Sequence, residues 1–336
     1  MTPRAMIKAF MRGEPLPRPL LMPILFSLGA RLENLPLRDF QSNPTKISNA
    51  MRQIRGVLKV DGLTCYYDPF LEAEALGCQR EWQADGSGKL IPPSFTGLDD
   101  LREKLNPPDS VASQGRVPIA CEVIQRLKVM LKDEPALAAR VTGPLTLAGQ
   151  LLGKECDQSP LPAEMVEFAA EVTASVSKAL LEAGADVILL TENFLPEISS
   201  EEAASYNSLL TPIFNVIRFY EALPVFLLTG GSECGASLRA LLTSDWDCIL
   251  CLGLAAAMNA VGELQGRNVG VALPGSIFDS NNLNSKELAD SIDGLTAQNH
   301  LILLTTAQDA PSNSDVGRIT DVLGRFRTLL SSLQAS

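Results

Sequence analysis

The sequence predicts a (β/α)8 barrel, and three observations support this fold. Eight short apolar runs recur along the 336 residues, with amphipathic stretches of helical periodicity between them. The runs are apolar at nearly every position, which is typical of a parallel sheet buried on both faces. Eight strands that alternate with helices is also the count of a closed barrel. A doubly wound open sheet is the alternative, because a sequence alone does not reveal closure.

The apolar runs give the predicted strands in chain order. They are PILFSL (23–28), LTCYYD (63–68), ARVTGP (139–144), DVILLTEN (186–193), PVFLLTG (224–230), CILCLG (248–253), NVGVALPG (268–275) and LILLTTA (301–307). The helical patterns between them include ISNAMRQIRGVLKV, PAEMVEFAAEVTASVSKALLEAG, SEEAASYNSLLTPIFNVIRFYEA and SKELADSIDGLTAQ, and VGRITDVLGRFRTLLSSLQ closes the chain. Their apolar residues recur at the 3.6-residue spacing of a helix with one buried side.

The predicted domain organisation is simple. We expect an N-terminal extension at 1–18 and a single barrel domain at 19–336. The stretch 82–118 is rich in Pro and Gly and lacks a clear period. We interpret it as a long excursion over one mouth of the barrel, where such insertions shape ligand clefts.

Composition excludes several functional classes. The chain is 46% apolar and 20% charged, as in an ordinary globular enzyme. A net charge of −11 argues against nucleic-acid partners, which need clustered Lys and Arg. No run approaches the ~20 apolar residues of a membrane span, and the N-terminus lacks the apolar core of a secretory signal. Seven cysteines, an odd number, fit reduced thiols, so we expect a cytoplasmic protein.

Polar residues stand at the predicted C-terminal strand ends, where closed barrels carry their catalytic groups. They are Ser27, Arg31, Tyr67, Asp68, Thr142, Gly143, Glu192, Asn193, Thr229 to Gly231, Pro274 and Thr305 to Gln308. Asp68 and Glu192 are the two carboxylates of this set, and they are therefore the acid/base candidates. For both, a helix N-cap or a structural ion pair is the alternative interpretation.

Histidine and cysteine offer little for catalysis or metal binding. His300, the one histidine, precedes a strand on the opposite rim, so no Ser-His-Asp or Cys-His pair can form. Cys248 and Cys251 have the C-x-x-C spacing of zinc sites, but residues three apart in a strand face opposite sides. We therefore predict that they are small apolar residues of the barrel wall.

Two glycine patterns allow more than one interpretation. The turn from Gly230 to Gly235, which includes Cys234, could bind an anion through its N–H groups or be a plain turn. Gly143 and Pro144 are predicted to start a helix, since Pro is favoured in the first turn.

Several segments together resemble the uroporphyrinogen decarboxylase superfamily. They are YYDPFLEAEALGC, VTGPLTLAGQLLG, and GADVILLTEN followed by ISSEEAASYNSLLTPIFNVIRFYEALPVFLLTGG. The resemblance extends from about Pro19 to Leu329. It implies a (β/α)8 barrel and an activity of one of two kinds, tetrapyrrole decarboxylation or corrinoid-dependent methyl transfer.

The resemblance to the decarboxylase branch is incomplete. Asp68, preceded by Tyr67, stands where that branch has the aspartate that binds pyrrole N–H groups. Arg31 is the one arginine left of two that hold substrate carboxylates. Gln150 replaces a tyrosine, and Ala307 lies near the position of a histidine. A substrate with eight carboxylates would meet few cations, so uroporphyrinogen itself is not favoured.

The resemblance to the methyltransferase branch lacks its zinc ligands. That branch binds zinc through a His-x-Cys-Gly motif and a late cysteine, and Leu228, Gly230 and Gln308 stand at those positions here. No zinc is therefore expected. The segment SNPTKISNAMRQIRGVLKVDGLTCYYDPFLEAEALGC nevertheless resembles the methyltransferases more than the decarboxylase.

Three functions follow as hypotheses. The first is methyl transfer between a corrinoid (cobalamin), free or carried by a corrinoid protein, and a small molecule. The second is decarboxylation through Asp68, and the third is a non-catalytic barrel that binds a corrinoid or tetrapyrrole or partners another subunit. The predicted catalytic residues are Asp68 and Glu192, and the predicted substrate-binding residues are Arg31, Tyr67, Gln150, Asn193, Thr229, Gly230 and Gln308. The sequence leaves a homodimer open.

Overall fold

The computed structural model of the protein describes residues 1–83, 88–154, 160–193, 195–196, 198–230, 235–242, 248–279 and 285–332. The strands are β1 (Leu20–Leu21), β2 (Gly62–Thr64), β3 (Gln79–Trp82), β4 (Gly88–Ile91), β5 (Ala136–Thr142), β6 (Val187–Glu192), β7 (Leu223–Leu228), β8 (Ile249–Gly253), β9 (Asn268–Leu273) and β10 (His300–Thr306).

The helices alternate with the strands along most of the chain. They are α1 (Pro3–Met11), α2 (Phe26–Leu32), α3 (Leu37–Phe40), α4 (Pro44–Leu58), α5 (Leu71–Ala75), α6 (Leu98–Lys104), α7 (Val117–Leu131), α8 (Pro144–Leu152), α9 (Ala163–Ala183), α10 (Ser200–Phe219), α11 (Gly235–Leu242), α12 (Leu254–Asn259), α13 (Ser285–Thr296) and α14 (Val316–Ser332), with 3-10 turns at Val111–Ser113 and Gly275–Phe278. None of the helices in the described ranges combines the length and the apolar character needed to cross a lipid bilayer.

Eight of the described strands form one parallel sheet, in the order β1-β10-β9-β8-β7-β6-β5-β2. The two ends of this sheet meet at Asp61, the residue before β2. The backbone N of Asp61 donates to the carbonyl O of Leu21 at 2.9 Å, and the backbone N of Leu21 donates to Asp61 Oδ2 at 2.8 Å. These bonds hold β2 beside β1 and complete the ring, so the predicted (β/α)8 barrel is confirmed.

Alternate strand residues fill the barrel interior. Ala136, Ala138, Val187, Leu189, Leu223, Val225 and Leu227 belong to one buried cluster inside the barrel. Helix α1 covers the N-terminal end of the strands, because its Met6 and Ile7 belong to the same cluster. Arg4 fixes this helix through contacts of 2.7 Å to Asp186 and 2.8 Å to Asp133. Part of the expected extension at 1–18 is therefore a helix packed against the lower end of the barrel.

Buried carboxylates join neighbouring β/α units by accepting backbone N–H groups. The pairs are Asp309 with Ser27 (2.7 Å), Asp61 with Leu21 (2.8 Å), Glu72 with Thr142 (3.0 Å), Asp186 with Leu137 (3.0 Å), and Glu192 with Leu145 (3.0 Å) and Thr146 (2.7 Å). An N–H group buried at a strand or helix start costs free energy unless it finds an acceptor. These carboxylates therefore stabilise the ends of the barrel.

Local sequence signals set several helix ends. Helix α10 begins with a capping box in which Ser199 and Glu202 bond to each other's backbone N–H. Asn43 caps α4, and Pro44 occupies its first turn. Helix α9 ends at Gly184, whose φ of 109° is a left-handed conformation that other residues rarely adopt.

The first predicted strand, 23–28, is wrong. The strand β1 is Leu20–Leu21, and helix α2 already begins at Phe26. The carboxylate of Asp309, 282 residues away, accepts the backbone N–H of Ser27 at 2.7 Å and so satisfies the first turn of this helix. This long-range cap outweighs the local apolar pattern. The second predicted strand, 63–68, is also shorter in the structure, where β2 is Gly62–Thr64.

A hairpin outside the barrel was not predicted. Strands β3 and β4 pair antiparallel, separate from the barrel sheet, and precede α6. The expected excursion at 82–118 thus carries β4, α6 and the first 3-10 turn between its irregular segments.

Candidate functional site

Arg140 places a positive charge inside the barrel. It lies on β5 two residues beyond Ala138, an interior residue, so its side chain points into the barrel. It is only 5% exposed. Its Nη1 lies 3.4 Å from the carbonyl O of Asp68 and its Nη2 lies 3.3 Å from Asn193 Oδ1. Its guanidinium stacks on the ring of Tyr67, with 5.3 Å between Cζ and the ring centroid.

Asn193 and Thr229 lie beside Arg140 at the ends of β6 and β7. The Thr229 hydroxyl is 3.3 Å from Asn193 Oδ1. The backbone N of Asn193 donates to Thr146 Oγ1 at 2.8 Å, which fixes the residue at the strand end. Asn193 is exposed, so the solvent reaches the cluster at this residue. We call Tyr67, Arg140, Asn193 and Thr229 the mouth cluster.

Tyr67 interacts with Asp309 as well as with Arg140. Burial raises the pKa of Tyr67, the positive charge of Arg140 lowers it, and the negative charge of Asp309 raises it further. Asp309 Oδ2 accepts from the Ser27 hydroxyl at 2.5 Å and from the Ser27 backbone, whereas Oδ1 is buried with no hydrogen-bond partner among the described residues. Burial raises the pKa of Asp309 to about 6. Sequence reasoning missed Asp309, although it directly follows the last residue of the predicted strand-end set.

Asp68 has the surroundings of a structural ion pair. Its side chain is 0% exposed, and its two carboxylate oxygens contact Arg80 at 2.5 Å and Arg116 at 3.2 Å. Glu74 contacts the same two arginines at 3.4 and 3.5 Å. The guanidinium groups of Arg80 and Arg116 also stack on Trp82. A substrate could reach the Asp68 carboxylate only by displacing an arginine, so this geometry gives no support to acid/base catalysis by Asp68.

Glu192 caps helix α8. It is 0% exposed and accepts from the backbone N of Leu145 and Thr146, from the Thr146 hydroxyl at 2.5 Å and from the Tyr206 hydroxyl at 2.5 Å. The fit is tight, because a Cβ on Gly143 would lie 2.2 Å from Glu192 Oε1. Burial raises the Glu192 pKa. The contacts are those of the N-cap alternative and place the carboxylate outside the lumen.

Of the other predicted binding residues, some lie at the mouth of the barrel and others bond to backbone groups of neighbouring segments. Arg31 is exposed and donates to the carbonyls of Asn313 and Ser314 at 3.0 and 2.7 Å. Gln150 is buried and donates to the Pro69 carbonyl at 3.0 Å. Gln308 is exposed, with its Oε1 3.4 Å from the backbone N of Gly275. Gly230 directly follows Thr229, and the stretch 231–234 of its turn, including Cys234, lies outside the described residues.

A family model described as uroporphyrinogen decarboxylase (URO-D) matches residues 2–217, which is more than half of the chain. The chain belongs to the URO-D family. The match runs from the start of α1 into α10 and therefore includes Tyr67, Arg140 and Asn193 of the mouth cluster.

Relatives of this URO-D family member include proteins of both kinds of activity. The chain is 25% identical over 183 residues to a methylated-thiol–coenzyme M methyltransferase of Methanosarcina mazei, covering 52% of this chain and 47%, about half, of that protein. It is 23% identical over 288 residues to a uroporphyrinogen decarboxylase of Prochlorococcus marinus, covering 80% and 79%. A solved methyltransferase structure from M. mazei matches with a TM-score of 0.75 at 15% identity, covering 98% and 99%. This last likeness concerns the fold.

Leu228, which stands at the position of the zinc-binding histidine of the methyltransferase branch, does not face the barrel interior. Leu223, Val225 and Leu227 of β7 face the interior, whereas Leu228 packs in the outer cluster against the helices. Because alternate residues of a strand share a face, Thr229 and not Leu228 follows Leu227 on the side that faces the barrel interior. Within the described ranges, no group of three or more His, Cys, Asp or Glu side chains is arranged to hold a metal ion.

Cys248 and Cys251 lie on opposite faces of the barrel wall, as predicted. Cys251 belongs to the interior cluster, and Cys248 packs against the outer one. Burial raises the pKa of Cys248 to about 12. Gly143 and Pro144 start α8, also as predicted.

A cavity of about 1050 Å³ lies at the other end of the barrel. It is lined by the segment 13–19 and by the starts of β7 to β10, including the exposed His300. Arg18, one of its cations, is bound to both oxygens of Asp61 at 2.6 Å. In (β/α)8 enzymes this N-terminal face serves stability and the C-terminal face serves catalysis. We therefore place the candidate site at the mouth cluster.

Proposed function

We propose that this chain is a methyltransferase-type member of the URO-D family that moves a methyl group between a corrinoid and a small molecule, without the usual His-x-Cys zinc site. The corrinoid would be a methylcobamide, free or carried by a corrinoid protein. The match to the M. mazei methylated-thiol–coenzyme M methyltransferase over 52% of the chain supports this class.

The observation that carries the proposal is the contrast between Asp68 and the mouth cluster. Both oxygens of Asp68 are bound to arginines, so the residue that the resemblance assigns to pyrrole binding is not free. The mouth cluster instead offers one cation, an amide and a hydroxyl at strand ends, with the amide of Asn193 exposed. Such groups hold and orient a small polar molecule rather than exchange protons with it.

The chain's own residues would orient the small molecule while the bound corrinoid supplies or takes up the methyl group. Arg140 and Asn193 would fix its polar end, and Tyr67 would hold the plane of the Arg140 guanidinium. His300, the one histidine of the sequence, lies at the opposite end of the barrel, so this chain places no imidazole at the mouth. The mouth cluster would hold the small molecule, and the corrinoid, free or on a corrinoid protein, would supply or take up the methyl group.

Methyl transfer can be measured from the absorbance of methylcobalamin under anaerobic conditions, with a panel of thiol and amine acceptors. We expect methylcobalamin to be demethylated only in the presence of the protein. Thr229→Val should lower the rate of methyl transfer at least ~10-fold, because the hydroxyl that orients the acceptor is lost. The matched control is Thr211→Val, an exposed threonine of α10, which should retain the wild-type rate. Absence of protein-dependent demethylation with every acceptor, with free methylcobalamin and with a methylated corrinoid protein, would contradict the proposal.

A decarboxylase is the second candidate, because the Prochlorococcus marinus uroporphyrinogen decarboxylase aligns over 80% of this chain. The test is anaerobic incubation with uroporphyrinogen, with wild type beside Asp68→Asn. Product from the wild type and none from a folded variant would favour this candidate. Equal inactivity would remove it, and tight binding of a corrinoid or tetrapyrrole with no turnover would favour a non-catalytic barrel.

A further inference from the structure

We infer that Arg140 anchors the carboxylate of a small, singly charged organic acid in the barrel lumen. The inference deepens the proposed function, on which it rests for the reaction, by giving the chemical class of the small molecule. Binding of the acid can be tested without a corrinoid, so the two ideas can fail separately.

Arg140 differs from other arginines with buried side chains in its partners. Arg4 contacts two carboxylates, Asp186 and Asp133, and Arg80 contacts another two, Asp68 and Glu74. Arg140 is buried as deeply but contacts no carboxylate in the described part of the chain. Its two hydrogen bonds, at 3.4 and 3.3 Å, go to uncharged oxygens. A buried cation without a counterion costs free energy, and a bound anion would offset this cost.

Glu72 is a carboxylate near Arg140, but it is already engaged. Burial raises the pKa of Glu72, and the hydrogen bond from Thr142 and the charge of Arg140 partly oppose that rise. Glu72 Oε1 and Oε2 are bound to the backbone N and the hydroxyl of Thr142, at 3.0 and 2.6 Å. The guanidinium therefore keeps donors for a ligand, since it carries five N–H groups and two of its nitrogens make single long bonds.

The surroundings of Arg140 favour a planar anion. Tyr67 stacks on the face of the guanidinium, and each of Nη1 and Nη2 makes one long hydrogen bond, so N–H groups remain at the guanidinium edge. A carboxylate can accept two parallel hydrogen bonds from such an edge. Asn193 is exposed, and its side-chain nitrogen has no partner among the described residues, so it can donate a further bond. The mouth cluster holds one cation, so it matches one negative charge rather than the eight of uroporphyrinogen.

Binding of small carboxylates by calorimetry tests the inference. The probes are acetate, butyrate and benzoate, each beside its neutral amide, which keeps the shape and removes the charge. We expect the wild type to bind at least one acid more tightly than its amide. Arg140→Met should weaken binding of the acid by at least ~10-fold and leave that of the amide unchanged, because a charge-assisted pair is lost. Arg140→Lys should retain part of the affinity.

Arg38→Met, an exposed arginine of α3, is the matched control and should bind as the wild type does. Equal affinity for acid and amide, equal binding by Arg140→Met, or no binding of any acid would overturn the inference. If Arg140→Met does not fold, the comparison of acid with amide and the Arg140→Lys variant still decide. Binding that depends on charge without methyl transfer would reject the proposed reaction alone, and methyl transfer unaffected in Arg140→Met would reject this inference alone.

Discussion

Each buried carboxylate at the mouth of the barrel has backbone or hydroxyl donors, whereas the buried guanidinium of Arg140 has no carboxylate partner in the described ranges. Glu192 bonds to Leu145, Thr146 and Tyr206, and Asp309 bonds to Ser27. At the scale of single residues, the carboxylates of Glu192 and Asp309 therefore stabilise the fold. Arg140 lies within an apolar stretch of the sequence, and its guanidinium is available to a ligand.

The role of Glu192 can be tested by its removal. Glu192→Ala would leave two buried N–H groups and the Tyr206 hydroxyl without an acceptor, so we expect the free energy of unfolding to fall by roughly 2–4 kcal/mol. Urea unfolding measures this change. Glu201→Ala, an exposed position on the same helix as Tyr206, should change stability by less than about 0.5 kcal/mol. A stable Glu192→Ala protein without activity would instead indicate a catalytic role.

Asp309 should make stability depend on pH. Its pKa of about 6 lies above the ordinary value of 3.8, so the folded state binds the proton more tightly than the unfolded state does. The stability that this group contributes is therefore fully present below about pH 4 and is lost as pH rises through about 6. We expect the free energy of unfolding to fall more between pH 5 and pH 7 in the wild type than in Asp309→Asn.

Urea titrations at both pH values compare the two proteins, with the exposed carboxylate variant Asp321→Asn as control. Other buried carboxylates such as Glu72 are present in all three proteins, so the difference isolates Asp309. The same pH dependence in wild type and Asp309→Asn would contradict the environment described for this residue.

At the scale of elements, the ion pairs of Asp68 join the hairpin to the barrel. Asp68 follows β2, Arg80 lies on β3, and Arg116 precedes α7, so three segments meet at one buried carboxylate. Glu74, on α5, adds a second negative charge to the same arginines. These ion pairs hold the segments together beside the mouth of the barrel. The aspartate at position 68 therefore has a structural role that does not involve a substrate.

A double-mutant cycle tests this linkage. Arg80→Gln alone should cost about 3–5 kcal/mol, because Asp68 and Glu74 keep their buried charges with one cation fewer. In the Asp68→Asn background the same substitution should cost markedly less, giving a coupling energy above ~1 kcal/mol by urea unfolding. Additive losses would show that the two side chains do not act as a pair.

At the scale of the whole molecule, the sequence predicted the barrel because strand burial is a local property. Seven of the eight predicted runs overlap barrel strands, and the exception, 23–28, is decided by Asp309 from the far end of the chain. The partners of Asp68 could not be predicted, since Arg80 and Arg116 meet it only through the path of the hairpin. Arg140 was missed because its inward direction depends on the register of β5, which the sequence does not fix.

The central claim is that the working end of the barrel is the mouth cluster and not the cavity at the opposite end. The most direct measurement is the rate of methyl transfer from a methylated corrinoid to a carboxylate-bearing acceptor, for Arg140→Met beside His300→Ala. We expect a loss of at least ~10-fold for Arg140→Met and a wild-type rate for His300→Ala. A wild-type rate for Arg140→Met together with a loss in His300→Ala would contradict it.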